Sequence, residues 1–368
     1  MSSPPVIGIV GSAGAYGRWL QAFFAKRMGS EVLGSDPADP AGLAPEALVE
    51  RSDVLVFSVP IRRTAATIDE YVRIAGGREH RQLWIDVTSI KAAPVAAMVR
   101  SRAEVVGLHP MTAPPAAPTL KGRVLVVCEV RLERWRGWLQ RLLAALEAQS
   151  VRSDPDRHDR VMALVQAMVH ASHLAQAGVL RTHAAQLGGL EGLMPFRSAS
   201  FELDSAVVAR ILSLNPAIYE DIQFENPHVP GVLDALAGEL ARLRDAVHRG
   251  GDEARSGFRQ HFLLDNREAF GAAALREGNH GFQRLGWLLA DLAEVRALSV
   301  HLPLDEPGAL RRLLHVFERL GISLSSIHSA RTPEGEVHFR IGFAATCAPE
   351  LLLEVGAQIE REGIGRVL

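Results

Sequence analysis

The sequence predicts an α/β protein: an N-terminal Rossmann-like parallel sheet, a central all-helical segment and a small C-terminal α/β module. Three observations carry that expectation. A compact apolar run, Val6-Ile7-Gly8-Ile9-Val10, feeds straight into a glycine-rich turn, Gly11-Ser12-Ala13-Gly14-Ala15-Tyr16-Gly17. From about Pro155 strand-length runs give way to long stretches of helical periodicity, and near Ser299 alternating, strand-like segments return. At 368 residues the chain exceeds one ordinary core, and these changes divide it into 1–154, a nucleotide-binding domain, 155–294, a helical domain, and 295–368, a small α/β domain.

After the glycine turn, Trp19, Leu20, Phe23 and Phe24 recur at helical spacing, and Glu31 to Gly34 reads as a second strand ending at Ser35-Asp36-Pro37. The order is strand, glycine turn, helix, strand, acid. Glycines permit a tight turn and close approach of a pyrophosphate, whose charge is favoured by the free N–H groups at a helix start. The candidate cofactor residues are Gly11, Ser12, Gly14, Tyr16, Gly17 and Asp36, with Ser58 and Pro60 at a later strand end. Asp36 suits the ribose hydroxyls and would repel a 2′-phosphate, so the expected cofactor is NAD. Against the strict GxGxxG spacing, Ser12 takes the first position, and a simple tight connector is the plainer alternative.

Further strands are expected at Val54-Leu55-Val56-Phe57, Leu83-Trp84-Ile85, Ala103 to Leu108 and Val124-Leu125-Val126-Val127. Continuous apolar runs separated by other segments fit a mostly parallel sheet covered on both faces. Ser58-Val59-Pro60, Asp86-Val87-Thr88-Ser89 and His109-Pro110 follow three of these runs. Strand ends of this kind border the ligand crevice of an open α/β sheet, so Ser89 and His109 can meet in space. His109 is expected as a base with an operating pKa near the ordinary histidine value of about 6.5; capping a turn is the alternative for either residue.

Along Arg160 to Leu180 an apolar face is expected from Val161, Leu164, Met168, Ala175 and Val179, opposite Gln166, His170 and His173. His170 and His173 read as a solvated pair, as substrate-facing groups or as metal ligands, although no neighbouring carboxylate or cysteine completes a metal set. Arg210, near the end of a helix from Ser200 toward Leu214, suits a carboxylate or a surface ion pair. Tyr219, Glu220, Ile222 and Phe224 follow, with an aromatic pocket wall expected there. Val232, Leu233, Leu236, Leu240, Leu243 and Val247 read as amphipathic packing against the other helices. The last module is expected to contain strands at Ser299 to Leu302, Ile322 to Leu324 and Val337 to Ile341. Its other parts are a turn at Asp305 to Leu310, a helix around Leu313 to Phe317 and a helix over Pro349 to Arg361.

Composition narrows the classes. With 48% hydrophobic and 22% charged residues and a formal net charge of −2, nothing favours a nucleic-acid backbone as partner. Cys128 and Cys347 lie far apart and suggest neither a disulfide framework nor a metal cluster. No signal-like opening and no membrane-length apolar run is seen, so a cytoplasmic setting without membrane contact is expected.

Together these landmarks resemble the prephenate dehydrogenase family, including its arogenate-oxidising members. The matching segments are GSAGAYG at 11–17, Asp36, SVP at 58–60, DVTSIK at 86–91, GLHPM at 107–111, HASH at 170–173 and RILSLNPAIY at 210–219. The segment from 295 onward resembles an ACT regulatory domain through DEPGAL at 305–310 and LGIS at 320–323. The resemblance implies NAD-dependent oxidative decarboxylation of prephenate, arogenate or both in tyrosine biosynthesis. It assigns His109 as base, Ser89 as a hydrogen-bonding partner of the reacting hydroxyl or of His109, Arg210 to a substrate carboxylate, and His173, His170 and Tyr219 to the substrate cavity. It also implies no metal, a homodimer formed through the helical segment, and an aromatic amino-acid effector. Ser12, Ala206, Val207 and Thr112-Ala113 depart from the family's usual residues. The competing expectations are a nonenzymatic NAD-sensing interaction protein and an NAD-dependent dehydrogenase of another small hydroxy acid.

Overall fold

The computed structural model describes residues 4–293, 296–302, 306–331, 337–344 and 346–367. Residues 1–245 and 246–368 form two compact units. The first begins with β1 (Ile7–Val10), α1 (Ala15–Met28), β2 (Val32–Ser35), α2 (Pro45–Arg51), β3 (Val54–Phe57) and α3 (Ile61–Ala75). It continues with β4 (Leu83–Asp86), α4 (Ala92–Val99), β5 (Glu104–Pro110), β6 (Val124–Arg131), α5 (Arg136–Leu146) and β7 (Gln149–Arg152). The strands form one sheet in the order β2-β1-β3-β4-β5-β6-β7, parallel throughout except between β5 and β6. The sequences IGIV, VLVF and LWID are buried along their whole length because helices cover both faces. Phe23, Phe24, Leu139 and Leu142 from α1 and α5 pack on one side. Leu48, Ile68, Tyr71 and Met98 from α2, α3 and α4 pack on the other.

The helical part starts at α6 (Pro155–Met162), whose N-cap Asp154 accepts the N–H of Arg157. It runs through a π-helical stretch, Ala163–Met168, into α7 (Val169–His183), followed by α8 (Gly189–Leu193), α9 (Ala199–Ser213), α10 (Pro216–Phe224) and α11 (Val229–Arg249). The apolar face expected on α6 and α7 is not the packed one. Met162, Ala163 and Ala167 are buried, whereas Val161, Leu164 and Val179 are exposed. A π turn adds a residue to the helical repeat and shifts the phase, and small alanines let this helix lie close to Ile222 and Val229. Likewise Val232 and Leu233 pack against that cluster, while Leu240, Leu243 and Val247 stay exposed within the single chain. Phe224 is also exposed and forms no pocket wall.

The second unit contains α12 (Gly251–Phe258), a π-helical stretch Arg259–Asp265, α13 (Asn266–Phe270), α14 (Ala272–Ala293), β8 (Ala297–Leu302) and α15 (Ala309–Arg319). Then come β9 (Leu324–Arg331), β10 (Val337–Phe343), α16 (Pro349–Arg361) and β11 (Arg366–Val367), giving an antiparallel sheet in the order β11-β8-β10-β9. One face of that sheet, with Val300, Phe339 and Ile341, packs on Leu313, Phe317, Val355 and Ile359. Ile322 is not the start of a strand. Gly321 is left-handed at φ 64° and the Ile322 N–H turns back to Phe317 O at 2.9 Å, so Ile322 completes the cap of α15. Asp305 of the expected turn, and residues 294 and 295 at the expected domain boundary, lie outside the described residues.

Two buried carboxylates join the sheet to the helical part. Asp159 of α6 accepts the N–H groups of Lys91 at 2.8 Å and Ala92 at 2.9 Å, capping α4. Asp221 of α10 accepts the N–H of Arg62 at 3.1 Å in the first turn of α3 and pairs with its Nε at 2.8 Å. Beneath Asp159 the side chain of Lys91 is sealed from solvent, bonded to Asp86 and, at 2.8 Å, to the carbonyl of Leu108. Burial pushes Asp86 up and Lys91 down in pKa, and the attraction between the two opposes both shifts. Gly107 makes room for this pair: a Cβ there would lie 2.9 Å from Lys91 Cδ and 3.1 Å from Asp86 Oδ2. Replacing Lys91 by Met strands the Asp86 carboxyl in the core and is expected to cost about 3–5 kcal/mol in urea unfolding. A loss below about 1 kcal/mol contradicts that assignment.

Candidate active site

The glycine turn, the end of β2 and the loop after β3 surround a crevice of about 690 Å³. It lies where the strand order reverses between β1 and β3, the usual ligand position in such sheets. Of the expected cofactor residues, Gly11, Gly14, Asp36, Ser58 and Pro60 line it, together with Arg63 and Tyr71. Gly11 is required by its fold: φ is 85°, and a Cβ would come within 2.3 Å of Ser58 O. Asp36 ties the turn to β2, accepting the Ala13 N–H at 3.0 Å and the Ala38 N–H at 2.8 Å. A carboxylate has about four lone-pair sites, so two bonds leave capacity for a diol. A glycine cradle, a helix N-terminus and an acid at the end of β2 suit a dinucleotide.

Ser12, Tyr16 and Gly17 do not line the crevice. Gly17 serves packing, since a Cβ would lie 2.2 Å from Gly11 O. Ser12 is buried against Gly34, where a Cβ would come 2.6 Å from Ser12 Oγ. The serine at the first glycine position is thus accommodated by a glycine in the adjoining strand. Tyr16 meets Trp19 edge to face with ring centroids 5.8 Å apart and lines a small apolar recess with Val87, Leu108 and Pro110. Burial pushes its phenol pKa up.

His109 is the penultimate residue of β5, is 2% exposed, and has Nδ1 2.9 Å from His158 Nε2. His158 Nδ1 lies 2.7 Å from Asp159 Oδ1. The His109 pKa is held well below 6.5 by burial first, then by His158 and Lys91. The expectation of an unshifted histidine is therefore corrected: a buried ring beside a cation resists taking a second proton. Ser89 is half-buried in the loop after β4 and has no hydrogen bond to His109 in this state.

The helical part gathers a second group of polar residues. His170 packs edge to face on Tyr219 with centroids 4.9 Å apart. Its pKa is lowered by burial and then by the charges of Arg210 and His173, which places these groups in one neighbourhood. His173 Nδ1 is 2.8 Å from Val169 O, and Nε2 is 3.3 Å from Asp204 Oδ1. Arg210 is exposed, with no ion pair among the described residues. His170 Nδ1, Gln166 Oε1 and Ser205 Oγ are buried without a protein partner. Leaving such an atom unpaired costs about 1–3 kcal/mol, so these three call for ordered water or a polar ligand.

Sequence reasoning missed His158, Asp159, Lys91 and Asp204. The signal available for the first two was an adjacent His-Asp pair in the opening turns of a helix. Lys91 ends the DVTSIK segment, yet nothing in the sequence reveals that its ammonium turns inward. Among the described residues no cluster of His, Cys, Asp or Glu is arranged to hold a metal, and no helix is long and apolar enough to cross a membrane.

Comparison with known proteins agrees with this arrangement. Residues 41–151 match the nucleotide-binding domain of prephenate dehydrogenase, 154–263 its dimerization domain and 296–357 the ACT domain. The chain is 31% identical over 262 residues to a 4-amino-4-deoxyprephenate dehydrogenase of Streptomyces pristinaespiralis, spanning 67% of this chain and 86% of that protein. It is 24% identical over 310 residues to a probable arogenate/prephenate dehydrogenase of Methanocaldococcus jannaschii, spanning 79% of this chain and 67% of that protein. Its fold is similar to that of a prephenate dehydrogenase from Aquifex aeolicus solved with hydroxyphenyl propionate and NAD+. That similarity has a TM-score of 0.56 at 17% identity, covering 73% of this chain and 99% of the other. With a Rossmann-like sheet, a helical region and a small C-terminal sheet each matching its counterpart, the chain belongs to the prephenate dehydrogenase family and carries a C-terminal ACT domain.

Proposed function

We propose that the protein is an NAD-dependent dehydrogenase that oxidatively decarboxylates prephenate, arogenate or both. The observation that carries this reading is the neutral, buried His109 at the C-terminal end of β5, in the sheet whose glycine crevice fits a dinucleotide. A bound NAD supplies the hydride acceptor. His109 takes the proton of the ring C4 hydroxyl, while Ser89 orients that hydroxyl. Hydride leaves C4 as the O–H electron pair forms a C4=O bond; the electrons of the breaking C–CO2 bond then complete the aromatic ring by returning the C4=O pair to oxygen, which takes back a proton to give the phenol. Arg210 holds the ring carboxylate through its planar donors, and His170, His173 and Tyr219 form the cavity around the ring and side chain.

The Streptomyces relative favours a second substrate, one with an amino group in place of the C4 hydroxyl. A bare imidazole nitrogen accepts a proton from either group. The exposed Val161, Leu164, Val165 and Val179 support a homodimer through the helical region, and the ACT domain supports an aromatic amino-acid effector. Two unbridged cysteines fit a cytoplasmic setting.

The deciding experiment is an NADH-formation assay with product identification on prephenate, arogenate and 4-amino-4-deoxyprephenate, with NAD and NADP compared. Turnover on at least one substrate, with NAD preferred through Asp36, is expected. The variant His109→Asn is expected to lower kcat by about 10²–10⁴-fold. NAD binding without turnover on any of them would leave the sensing protein as the better reading. The pH profile follows from the His109 shift. A base works deprotonated, so kcat/KM should stay level as pH falls through 6.5 and decline only further into acid. A midpoint at or above 6.5 contradicts the buried base. Arg210→Gln should raise substrate KM by about 10–100-fold and leave the NAD KM within about twofold; an unchanged substrate KM removes Arg210 from the site.

A further inference from the structure

Asp159 can only accept hydrogen bonds, and its oxygens are held by the N–H groups of Lys91 and Ala92. The proton between it and His158 therefore resides on His158 Nδ1, across 2.7 Å. In the neutral ring His158 Nε2 is then a bare acceptor. His109 Nδ1 lies 2.9 Å from that acceptor and must carry a proton to bond with it. What remains on His109 is an unprotonated Nε2, to which none of the described residues donates. An isolated imidazole has no such fixed choice, because both tautomers are accessible.

We propose that His158, locked by Asp159, is a positioning residue that fixes His109 in the tautomer with a bare Nε2 and gives the captured substrate proton a path toward a carboxylate. The proposal rests on the reading of His109 as the base. The proton balance is simple. The substrate proton arrives at His109 Nε2, the His109 Nδ1 proton passes to His158 Nε2, and the resulting imidazolium lies against Asp159. His109 is then neutral with its proton on Nε2; as that proton leaves to water, the His158 Nε2 proton returns to His109 Nδ1 and both starting tautomers are restored. Charge considerations favour this direction. The other charged groups beneath His109 are Lys91, whose cation opposes a second positive charge, and Asp86, already bonded to Lys91 and to the Thr88 hydroxyl. The carboxylate reached from His109 through continuous hydrogen bonds is Asp159. A carboxylate–histidine pair that sets a tautomer is familiar from hydrolase triads, where losing the tautomer while keeping the geometry costs about 10⁴ in kcat.

The test compares His158→Leu, which fills the space but neither accepts nor donates, with His158→Gln, whose Oε1 can accept from His109 while its amide donates to Asp159. Expected for the Leu variant is a fall of about 30–100-fold in kcat, with the substrate KM and NAD Kd within about threefold. The Gln variant restores the acceptor that sets the tautomer but cannot take up a proton, so it should recover part of the loss, to within about tenfold of the parent. In parallel, the ¹⁵N shifts of His109 at neutral pH should report Nδ1–H with bare Nε2 in the parent and a growing Nε2–H population in the Leu variant. A Leu variant within about threefold of the parent in kcat overturns the proposal, as does a Gln variant no better than Leu, or parent His109 protonated at Nε2. If the Leu protein does not fold, the parent ¹⁵N shifts and the Gln variant decide in the same way. Parent protein that turns over none of the three substrates defeats the dehydrogenase reading instead, and the tautomer measurement remains a separate outcome.

Discussion

The carboxylate of Asp159 is the constraint on which the rest of the first unit depends. One side chain on α6 caps α4 through two backbone N–H groups and accepts from His158, while its own carbonyl accepts the Asn226 side chain at 2.8 Å from the segment between α10 and α11. Helix capping contributes about 1 kcal/mol in ordinary cases. A buried carboxylate with three donors and almost no solvent contact is worth more, because each bond is charge-assisted and the group has no water to fall back on. The orientation of the helical part on the sheet and the orientation of His109 are therefore set by the same atoms. A change that loosened one would disturb the other.

The sheet reinforces this from below. Lys91 uses its backbone for Asp159 and its side chain for Asp86 and Leu108 O, linking the end of β4 to the residue immediately before His109. Gly107 is what allows the lysine stem to pass. A four-carbon chain buried to 0% exposure costs rotamer entropy and desolvation, so a structure that retains it gains something other than stability: a strand end whose position is defined by hydrogen bonds on both sides. His109 sits on that end.

Much of this architecture was legible in the sequence, for identifiable reasons. Strands β1, β3 and β4 are short continuous apolar runs because both faces are covered, and the glycine turn marks itself through residues that only a tight approach requires. β7, with sequence QSVR, escaped because an exposed edge strand has no apolar pattern to read. The packed face of α6 and α7 was misread because a π turn breaks the 3.6-residue phase on which periodicity arguments rest. At the site, local motifs are what single out His109, Asp36, Gly11, His170 and Arg210 as candidates. His158 and Asp159 are not singled out, since their significance lies in contacts 49 and about 68 positions away in sequence, and a single sequence contains no trace of such pairings. Tyr16 was misplaced for the opposite reason: it belongs to the motif in sequence, but its ring turns into the core.

The two polar groups of the first unit are built to different standards, and the difference is itself informative. Around His109 the ring, His158, Asp159 and Lys91 are bonded, exposure is close to zero, and the bonds run through backbone and carboxylates, with Asp86 Oδ2 and the Tyr16 hydroxyl the neighbouring buried atoms without a protein partner. Around His170 three buried polar atoms lack partners, Arg210 is exposed, and the wall consists of helices rather than strand ends. A fully bonded group resists substitution, because any change leaves a charge or donor stranded. A partly bonded one tolerates change, since its unpaired atoms are met by water or a ligand and a new side chain need only present a different complement. Chemistry that stays the same across a family is best held in the first kind of environment, and discrimination among related ligands in the second. Under the proposed assignment of this group to the substrate, the departures at Ala206 and Val207, both on α9 in the turn before Arg210, would bear on which substrate is held rather than on how it reacts.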